Sequence, residues 1–170
     1  MIRLLTENDV EAFRNLRLET LSKDPQSWYS KYEVEKDFPL YEFTNRLTYS
    51  RSPIFGYYGY FENEKLLGYV QISGNYWTKK KHVAIISDVC VSSSARNKGI
   101  GTELMNYIVD KMKTVSGIEQ IELWVNSLNP QAISFYEKLG FKKVAEIPNS
   151  LKEDNGSYQN EYIYILDLTK

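Results

Sequence analysis

A glycine-containing turn in the middle of the chain has the residue types that bind an anion. An apolar run ends at Val91, three serines follow, and the segment Arg96-Asn97-Lys98-Gly99-Ile100-Gly101-Thr102 then opens a predicted helix. The first amides of a helix lack internal acceptors and carry partial positive charge, and glycine lets a ligand approach the backbone closely. Arg96 and Lys98 add positive charge to the same turn. The segment therefore predicts a phosphate-binding turn.

Two common nucleotide-binding motifs do not fit this turn. A P-loop requires Gly-x-x-x-x-Gly-Lys-Ser/Thr, and no such run occurs in the chain. The dinucleotide fingerprint requires a third glycine, but Leu104 stands at that position. That fingerprint also belongs to the first strand–helix unit of a domain, whereas this turn lies halfway along the chain. The phosphate ligand is therefore of another kind.

The turn instead resembles a signature of the GNAT superfamily, the acyl-CoA-dependent N-acetyltransferases. Arg96 to Gly101 matches its Arg/Gln-x-x-Gly-x-Gly/Ala pattern. At the expected distance, Asn129 to Phe141 resembles the family's Asn-x-x-Ala-x-x-x-Tyr-x-x-x-Gly-Phe segment. The likeness extends over residues 83–144. Each motif alone is weak, but the two together at this spacing are specific.

The resemblance implies a fold and an activity. We expect one N-acetyltransferase domain over residues 1–170, a mixed α/β fold with a mostly antiparallel central sheet whose middle strands splay apart between flanking helices. The implied reaction moves an acetyl group from acetyl-CoA to a primary amine of a small molecule, by direct attack in a ternary complex. It requires neither a covalent enzyme intermediate nor a metal.

The resemblance also implies roles for individual residues. Amides of residues 97–102 would hold the pyrophosphate, and the strand at Val89, Cys90 and Val91 would pair with the pantetheine arm and polarise the thioester carbonyl. Tyr136 is the implied general acid for the departing thiolate. Further implied cofactor-binding residues are Asn129, which would also cap its helix, Phe135, and Lys138, which would reach the outer phosphate. Cys90 is not needed as a nucleophile and is expected to be a small buried hydrophobic residue.

The sequence offers several candidates for the general base. An acceptor amine must lose a proton before or during attack, so a base or a water chain is required. Asp88 is the carboxylate nearest in sequence to the reacting strand, and Glu33 and Glu35 are alternatives from the N-terminal half. Strand alternation does not determine whether Asp88 faces the site.

The acceptor is also open. Four aromatic residues and three acidic residues between positions 28 and 38 either line an aromatic, acidic site for a cationic amine or pack a helix onto the sheet. They are Trp28, Tyr29, Tyr32 and Phe38, with Glu33, Glu35 and Asp37. Two alternatives compete with a small-molecule acetyltransferase: an enzyme that acetylates protein N-termini or lysines, and a non-catalytic acyl-CoA-binding module. Trp124 stands where ribosomal-protein N-terminal acetyltransferases often have glutamate, which weakens that comparison.

Composition excludes several other classes. The 170 residues contain 21 Lys+Arg and 22 Asp+Glu, a net charge of −1, so the basic excess of a nucleic-acid-binding protein is missing. A single cysteine, Cys90, and a single histidine, His82, exclude an intramolecular disulfide and a His/Cys metal centre. No run of about 18 apolar residues predicts a membrane span. We expect a cytoplasmic protein that binds acetyl-CoA and an amine but neither nucleic acid nor membrane, and a homodimer remains open.

The predicted element order is β α α β β β α β α β β. Strands are expected at residues 2–5, 54–61, 66–72, 83–91, 118–125, 141–147 and 158–168. Helices are expected from a cap at Thr6–Asp9 to Asp24-Pro25, within 26–52, at 99–115, and from Asn129 to Gly140. Residues 149–157 form a predicted polar loop.

Overall fold

A mixed β-sheet forms the centre of the computed structural model, which describes residues 1–48 and 54–169. Within these residues the strands are β1 (Ile2–Leu4), β2 (Phe55–Glu62), β3 (Lys65–Gly74), β4 (Val83–Val91), β5 (Gln120–Asn126), β6 (Lys142–Lys152) and β7 (Tyr158–Asp167). Their order across the sheet is β1-β2-β3-β4-β5-β7-β6. The β4–β5 pair is parallel and the other pairs are antiparallel. The mostly antiparallel sheet is therefore confirmed.

Helices cover both faces of this sheet. They are α1 (Val10–Lys23), α2 (Tyr32–Glu35), α3 (Leu40–Thr48), α4 (Ile100–Lys113) and α5 (Pro130–Lys138). The region predicted to hold one helix at 26–52 contains two, and its last part, residues 49–52, lies outside the described residues. Among the described residues, no helix has the length and apolar character needed to cross a membrane.

Alternate side chains of β3 enter two separate hydrophobic cores. Val70 packs with residues of α4 on one face, and Tyr69 packs with Phe13 of α1 and Phe43 of α3 on the other. Because successive strand residues point to opposite faces, a strand covered by helices on both sides is apolar throughout. This explains why β3 is buried continuously from Leu66 to Ile72, and it fixes the sheet between α1 and α4.

Local signals set the ends of the helices as predicted. The Asp9 carboxylate accepts the main-chain N–H of Thr6 at 2.9 Å ahead of α1. Lys23 is the last residue of α1, immediately before Asp24-Pro25. Asn129 caps α5 by accepting the N–H of Ala132 at 3.0 Å. Gly140, with a φ of +90°, follows that helix in the left-handed conformation typical of glycine after a C-terminus.

The predicted loop at 149–157 is confirmed for residues 153–157 and wrong for residues 149–152. Strand β6 continues to Lys152, and a turn follows it. Between the pairs Ile147–Glu161 and Leu151–Gln159, three residues of β6 face one of β7. Asn149 has a φ of +54° there. The polar segment around Asn149 is therefore a bulge inside a hairpin, which explains why its composition resembles a loop.

Candidate active site

A cavity of about 710 Å³ opens where β4 and β5 separate. These strands pair only from Val83–Gln120 to Ile86–Leu123. Beyond this point β4 stays paired with β3, while β5 stays paired with β7. The predicted splaying of the middle strands is thus present, and it leaves one edge of β4 facing the cavity.

A bulge in β4 determines how the strand lines this cavity. Val89 pairs with Val70 and Ile86 pairs with Ile72, so Gln71 of β3 faces two residues of β4. Those two residues, Ser87 and Asp88, both line the cavity. Simple alternation could not assign the direction of Asp88, because the bulge interrupts it.

The glycine-containing turn forms one end of the cavity wall. Gly99 has a φ of +83°, where other residues are strained, and precedes α4. A Cβ added to Gly101 would lie 3.3 Å from Cζ of Phe135, so glycine lets α4 approach α5. In the described part of the chain, the amides of residues 100–102 have no protein acceptor, as expected for a helix start. Unpaired donors therefore lie beside a narrow cleft.

Most predicted cofactor-binding residues lie on this wall. The wall includes Val89, Val91, Arg96, Asn97, Gly99, Ile100, Gly101, Thr102, Asn129 and Phe135. Three predicted residues are absent from it: Cys90, whose side chain is buried in the core beside Thr20, and Lys98 and Lys138, which are exposed. Cys90 is therefore the small buried residue expected from its strand position.

Arg96 and Asn129 already have protein partners. The Arg96 guanidinium forms an ion pair with Asp24, and its Nε donates to the carbonyl of Val91 at 3.3 Å. The charge predicted for this turn is therefore partly balanced. The Asn129 side chain donates to Oγ of Ser27 at 3.0 Å while it caps α5. This contact ties the loop after α1 to the β5 side of the cavity.

Tyr136 lies on the cavity wall with an unused hydroxyl. It is 9% exposed, and its ring packs against Phe135 and Phe141 at centroid distances of 5.4 and 6.0 Å. Among the described residues, none forms a hydrogen bond with this hydroxyl. Burial, and then the negative charge of Asp88, raise the pKa of Tyr136 above its ordinary value. The phenol therefore holds its proton at neutral pH.

Asp88 belongs to a buried network of alternating charges. Its Oδ2 accepts from Nη1 of Arg17 at 3.1 Å and from the hydroxyl of Tyr57 at 3.2 Å. Arg17 also donates from Nε and Nη2 to Glu35 at 2.9 and 2.7 Å. Glu35 accepts a further bond from Nη1 of Arg46 at 2.8 Å. Two positive and two negative side chains are thus joined at the end of the cavity away from the glycine turn.

Arginine contacts control the ionisation of Glu35. Burial alone would raise the pKa of Glu35, but hydrogen bonds and charge from Arg17, together with Arg46 and Ser30, lower it to about 2. Its oxygens are therefore occupied by cations of the protein itself. This arrangement does not favour Glu35 as a base that takes a proton from an amine.

Of the two alternatives left open for residues 28–38, the acidic acceptor site does not match the cavity wall. Trp28, Tyr29 and Phe38 line the cavity with Glu35, but Tyr32, Glu33 and Asp37 are exposed and not part of its wall. Glu33 pairs instead with Lys36. With Arg17 and Arg46 beside Glu35, this end of the cavity is aromatic and charge-balanced.

Sequence reasoning missed Arg17, Arg46 and Tyr57. One signal was available for Arg17, which lies four residues after Phe13 and four before Leu21 on the buried stripe of α1. An arginine on the apolar face of a helix needs a buried partner. The partner itself could not be found from local spacing, because Asp88 is 71 residues away.

The family comparison agrees with this geometry. Residues 13–141 match the family described as "Acetyltransferase (GNAT) family". The matched region includes most of α1, the glycine-containing turn and α5. The chain therefore belongs to the GNAT family of acetyltransferases.

Two individual relatives share about three tenths of their aligned residues with this chain. The chain is 29% identical over 153 residues to an uncharacterized N-acetyltransferase of Methanocaldococcus jannaschii, which covers 84% of this chain and 60% of that protein. It is 30% identical over 100 residues to the L-amino acid N-acetyltransferase AaaT of Escherichia coli, covering 57% of this chain and 59% of that one. The matches thus span about three fifths of these relatives.

A solved structure shares the whole fold. YncA from Salmonella typhimurium, determined with its cofactor acetyl-CoA, superposes with a TM-score of 0.79 at 18% identity. The superposition covers 100% of this chain and 94% of that one. At this level of identity the likeness establishes the fold.

Proposed function

We propose that the chain is an N-acetyltransferase that moves an acetyl group from acetyl-CoA to a primary amine of a small molecule, by direct attack in a ternary complex. The observation that carries this proposal is one cavity joining unpaired helix amides, an open strand edge and the free hydroxyl of Tyr136. These are the donor groups that a diphosphate, an extended amide-bearing arm and a leaving thiolate require.

The residues present fit acetyl-CoA. Amides at the start of α4 suit the diphosphate, and Gly101 keeps the approach narrow but open against Phe135. The edge of β4 at Val89 and Val91 suits the pantetheine amides, which can pair with it as a strand would. When bound, acetyl-CoA supplies the thioester whose acyl carbon is transferred.

Tyr136 is the proposed general acid. The nitrogen–carbon bond forms as the carbon–sulfur bond breaks, and the sulfur then needs a proton. The Tyr136 hydroxyl is protonated at neutral pH and lies inside the cavity, so it can hydrogen-bond to the sulfur and supply that proton. The nitrogen of the new amide loses one proton, which returns to the Tyr136 phenolate. The sulfur has thus gained one proton and the nitrogen has lost one, and Tyr136 ends the step as a phenol.

Asp88 is the proposed carboxylate for the acceptor amine. It lies on the cavity wall, and its charge acts on Tyr136, so the two groups share one region of the site. Because Arg17 and Tyr57 both bond to Oδ2, Oδ1 is the oxygen left for the amine or for a water that removes its proton. Arg17 is a positioning residue in this scheme.

A small acceptor is favoured over a protein chain. The loop at 26–30 lies along the cavity, held by contacts from Asn129 to Ser27 and from Asn126 to the carbonyl of Gln26 at 3.3 Å. Such a loop narrows access to the acceptor end. The name of the Escherichia coli relative, an L-amino acid N-acetyltransferase, supports the same size class.

Turnover of an amine panel tests this function. Release of free CoA thiol would be followed with polyamines, amino acids, aminoglycosides and peptides. We expect release with a small amine, and a loss on the order of a hundredfold or more in kcat for Tyr136→Phe with acetyl-CoA affinity nearly unchanged. Phe141→Leu is the control for altered packing around that ring. Acetyl-CoA binding without turnover of any amine would indicate a binding module, and failure to bind acetyl-CoA would exclude the proposal.

A further inference from the structure

Arg46 has hydrogen-bond donors that the protein leaves unused. Its Nη1 donates to Oε2 of Glu35 at 2.8 Å, and the guanidinium lies 5.9 and 5.4 Å from the ring centroids of Phe38 and Phe43. These contacts fix the group on the wall of the cavity, where the side chain is 27% exposed. Within residues 1–48 and 54–169, neither Nε nor Nη2 has an acceptor.

In the rest of the charged network, every side-chain nitrogen and oxygen has at least one partner, apart from one carboxylate oxygen. Glu35 accepts bonds on both oxygens, and Arg17 donates from all three of its nitrogens. Asp88 accepts two bonds on Oδ2, and no described residue donates to Oδ1. The network therefore offers a ligand one cationic donor group, at Arg46, and one anionic acceptor, at Asp88. Both line the same cavity.

We infer that the acceptor is an amphoteric small molecule, a primary amine that also carries a carboxylate or a similar anionic group, and that Arg46 binds the anionic group. This inference rests on the proposed acetyltransferase function. The planar fork of a guanidinium matches a carboxylate, and partial burial strengthens such a bond. Asp88 faces the ammonium end of the same molecule.

A purely cationic acceptor fits this wall less well. A polyamine would bring additional positive charge toward Arg46 and Arg17, and both oxygens of Glu35 already accept bonds from these two arginines. Repulsion between like charges in a partly buried site opposes binding. An amphoteric amine matches one charge of each sign and adds no net charge to the network.

Matched amine pairs test the inference on the intact protein. Each pair differs only by a carboxylate: β-alanine with ethylamine, 4-aminobutyrate with propylamine, and L-phenylalanine with 2-phenylethylamine. A short peptide with a free N-terminus forms a separate arm, since its carboxylate is remote from its amine. We expect kcat/KM to be about tenfold or more higher for the carboxylate-bearing member of at least one pair.

Substitution of Arg46 provides the second readout. For Arg46→Gln we expect KM for the carboxylate-bearing substrate to rise about tenfold with kcat little changed, and KM for the matched plain amine to stay the same or fall. Arg46→Lys keeps the charge and should recover part of the loss. Arg14→Gln is the matched control, because Arg14 also lies over the Phe43 ring, at 5.7 Å, but is not on the cavity wall.

The possible results distinguish failure of this inference from failure of the proposed acetyltransferase function. Equal kcat/KM within every pair, or an equal effect of Arg46→Gln on both members, overturns the inference and leaves the acetyltransferase function standing. Preference for the peptide arm also overturns it. Acetyl-CoA binding without turnover of any amine overturns the proposed function and the inference together. If Arg46→Gln does not fold, the wild-type pairs and Arg46→Lys still decide the question.

Discussion

Arg17 of α1 and Asp88 of β4 are joined by an ion pair on the cavity wall, with Nη1 and Oδ2 3.1 Å apart. The same guanidinium forms two bonds to Glu35, and its Cζ lies 4.6 Å from the Trp28 ring centroid. One side chain therefore links the N-terminal helix, the acceptor-side segment and the splayed strand. Changes at Arg17 should act on both stability and the site.

Removal of Arg17 should be strongly destabilising. Its side chain is 7% exposed and that of Glu35 is fully buried. Arg17→Met removes one of the two arginines that bond to Glu35 and the arginine that bonds to Asp88, so two carboxylates would share the single positive charge of Arg46. We expect a loss of about 3–5 kcal/mol in the free energy of unfolding, measured by urea denaturation at pH 7. Arg3→Met is the matched control, because the Arg3 side chain in its pair with Asp9 is 40% exposed and the pair should contribute about 1 kcal/mol or less. Equal losses for the two variants would contradict a structural role for the buried pair.

Acid should destabilise the protein in a defined pH window. Burial raises the pKa of Glu35, but its arginine contacts lower it further, to about 2, whereas an unfolded glutamate titrates at about 4.3. A depressed pKa gives stability that is fully present above the unfolded value and is lost as pH falls through the folded value. We expect the free energy of unfolding to decline between about pH 4.3 and pH 2.

Glu35→Gln should flatten that decline. The variant is expected to be less stable than the wild type at pH 7, and its stability should depend less on pH below about 4.3, in urea titrations at several pH values. Asp9, whose pKa is also lowered to about 2 by its bond to Arg3, should keep part of the dependence in both proteins. An unchanged slope in Glu35→Gln would show that Glu35 does not contribute to the acid transition.

Two glycines with the same backbone conformation allow the turn to be tested. Gly99 has a φ of +83° and Gly117 one of +84°, and a Cβ at either position would meet nothing within 4 Å. Gly99→Ala and Gly117→Ala should therefore each lower stability by about 1–2 kcal/mol through backbone strain. We expect calorimetry to detect weaker acetyl-CoA binding for Gly99→Ala alone, since Gly117 is not on the cavity wall. Equal affinities would argue against binding at this turn.

Cys90 should be unreactive and dispensable for turnover. Burial raises the pKa of its thiol to about 12, with smaller opposing contributions from Thr20 and Tyr69, so almost no thiolate exists at pH 8. We expect a disulfide reagent such as DTNB to react with the unfolded chain at least a hundredfold faster than with the native protein. Cys90→Ala should retain acetyl transfer, because direct attack needs no enzyme nucleophile. Loss of turnover in a folded Cys90→Ala would contradict direct transfer.

Short-range signals in the sequence predicted much of the fold. Asn129 at the start of α5, Gly140 after its end and the Asp24-Pro25 stop of α1 act on neighbouring amides, and each is found where expected. The order of elements and the open middle of the sheet also agree with the resemblance to the GNAT superfamily. Periodicity and caps are local properties, which explains why single-chain reasoning was sufficient for them.

The acceptor end could not be predicted in the same way. The bulge at Ser87 and Asp88 depends on how β4 pairs with β3, and the charge of Glu35 depends on Arg17 and Arg46 from two other helices. The number of acidic residues between positions 28 and 38 therefore does not determine the charge of the cavity wall. The roles of Tyr136 and Asp88 in the reaction remain predictions.

The divergence of β4 from β5 also bears on self-association. An unpaired strand edge at the rim of a sheet is a template on which another chain can polymerise. Here the vacant edge of β4 lies in the interior of the sheet, with β5 and β7 continuing beyond it and the 26–30 loop alongside. A foreign strand could pair with these main-chain groups only by entering the sheet between β4 and β5. The unpaired main-chain groups of β4 can therefore stay available to a ligand while being protected from the edge-to-edge pairing that leads to fibrils.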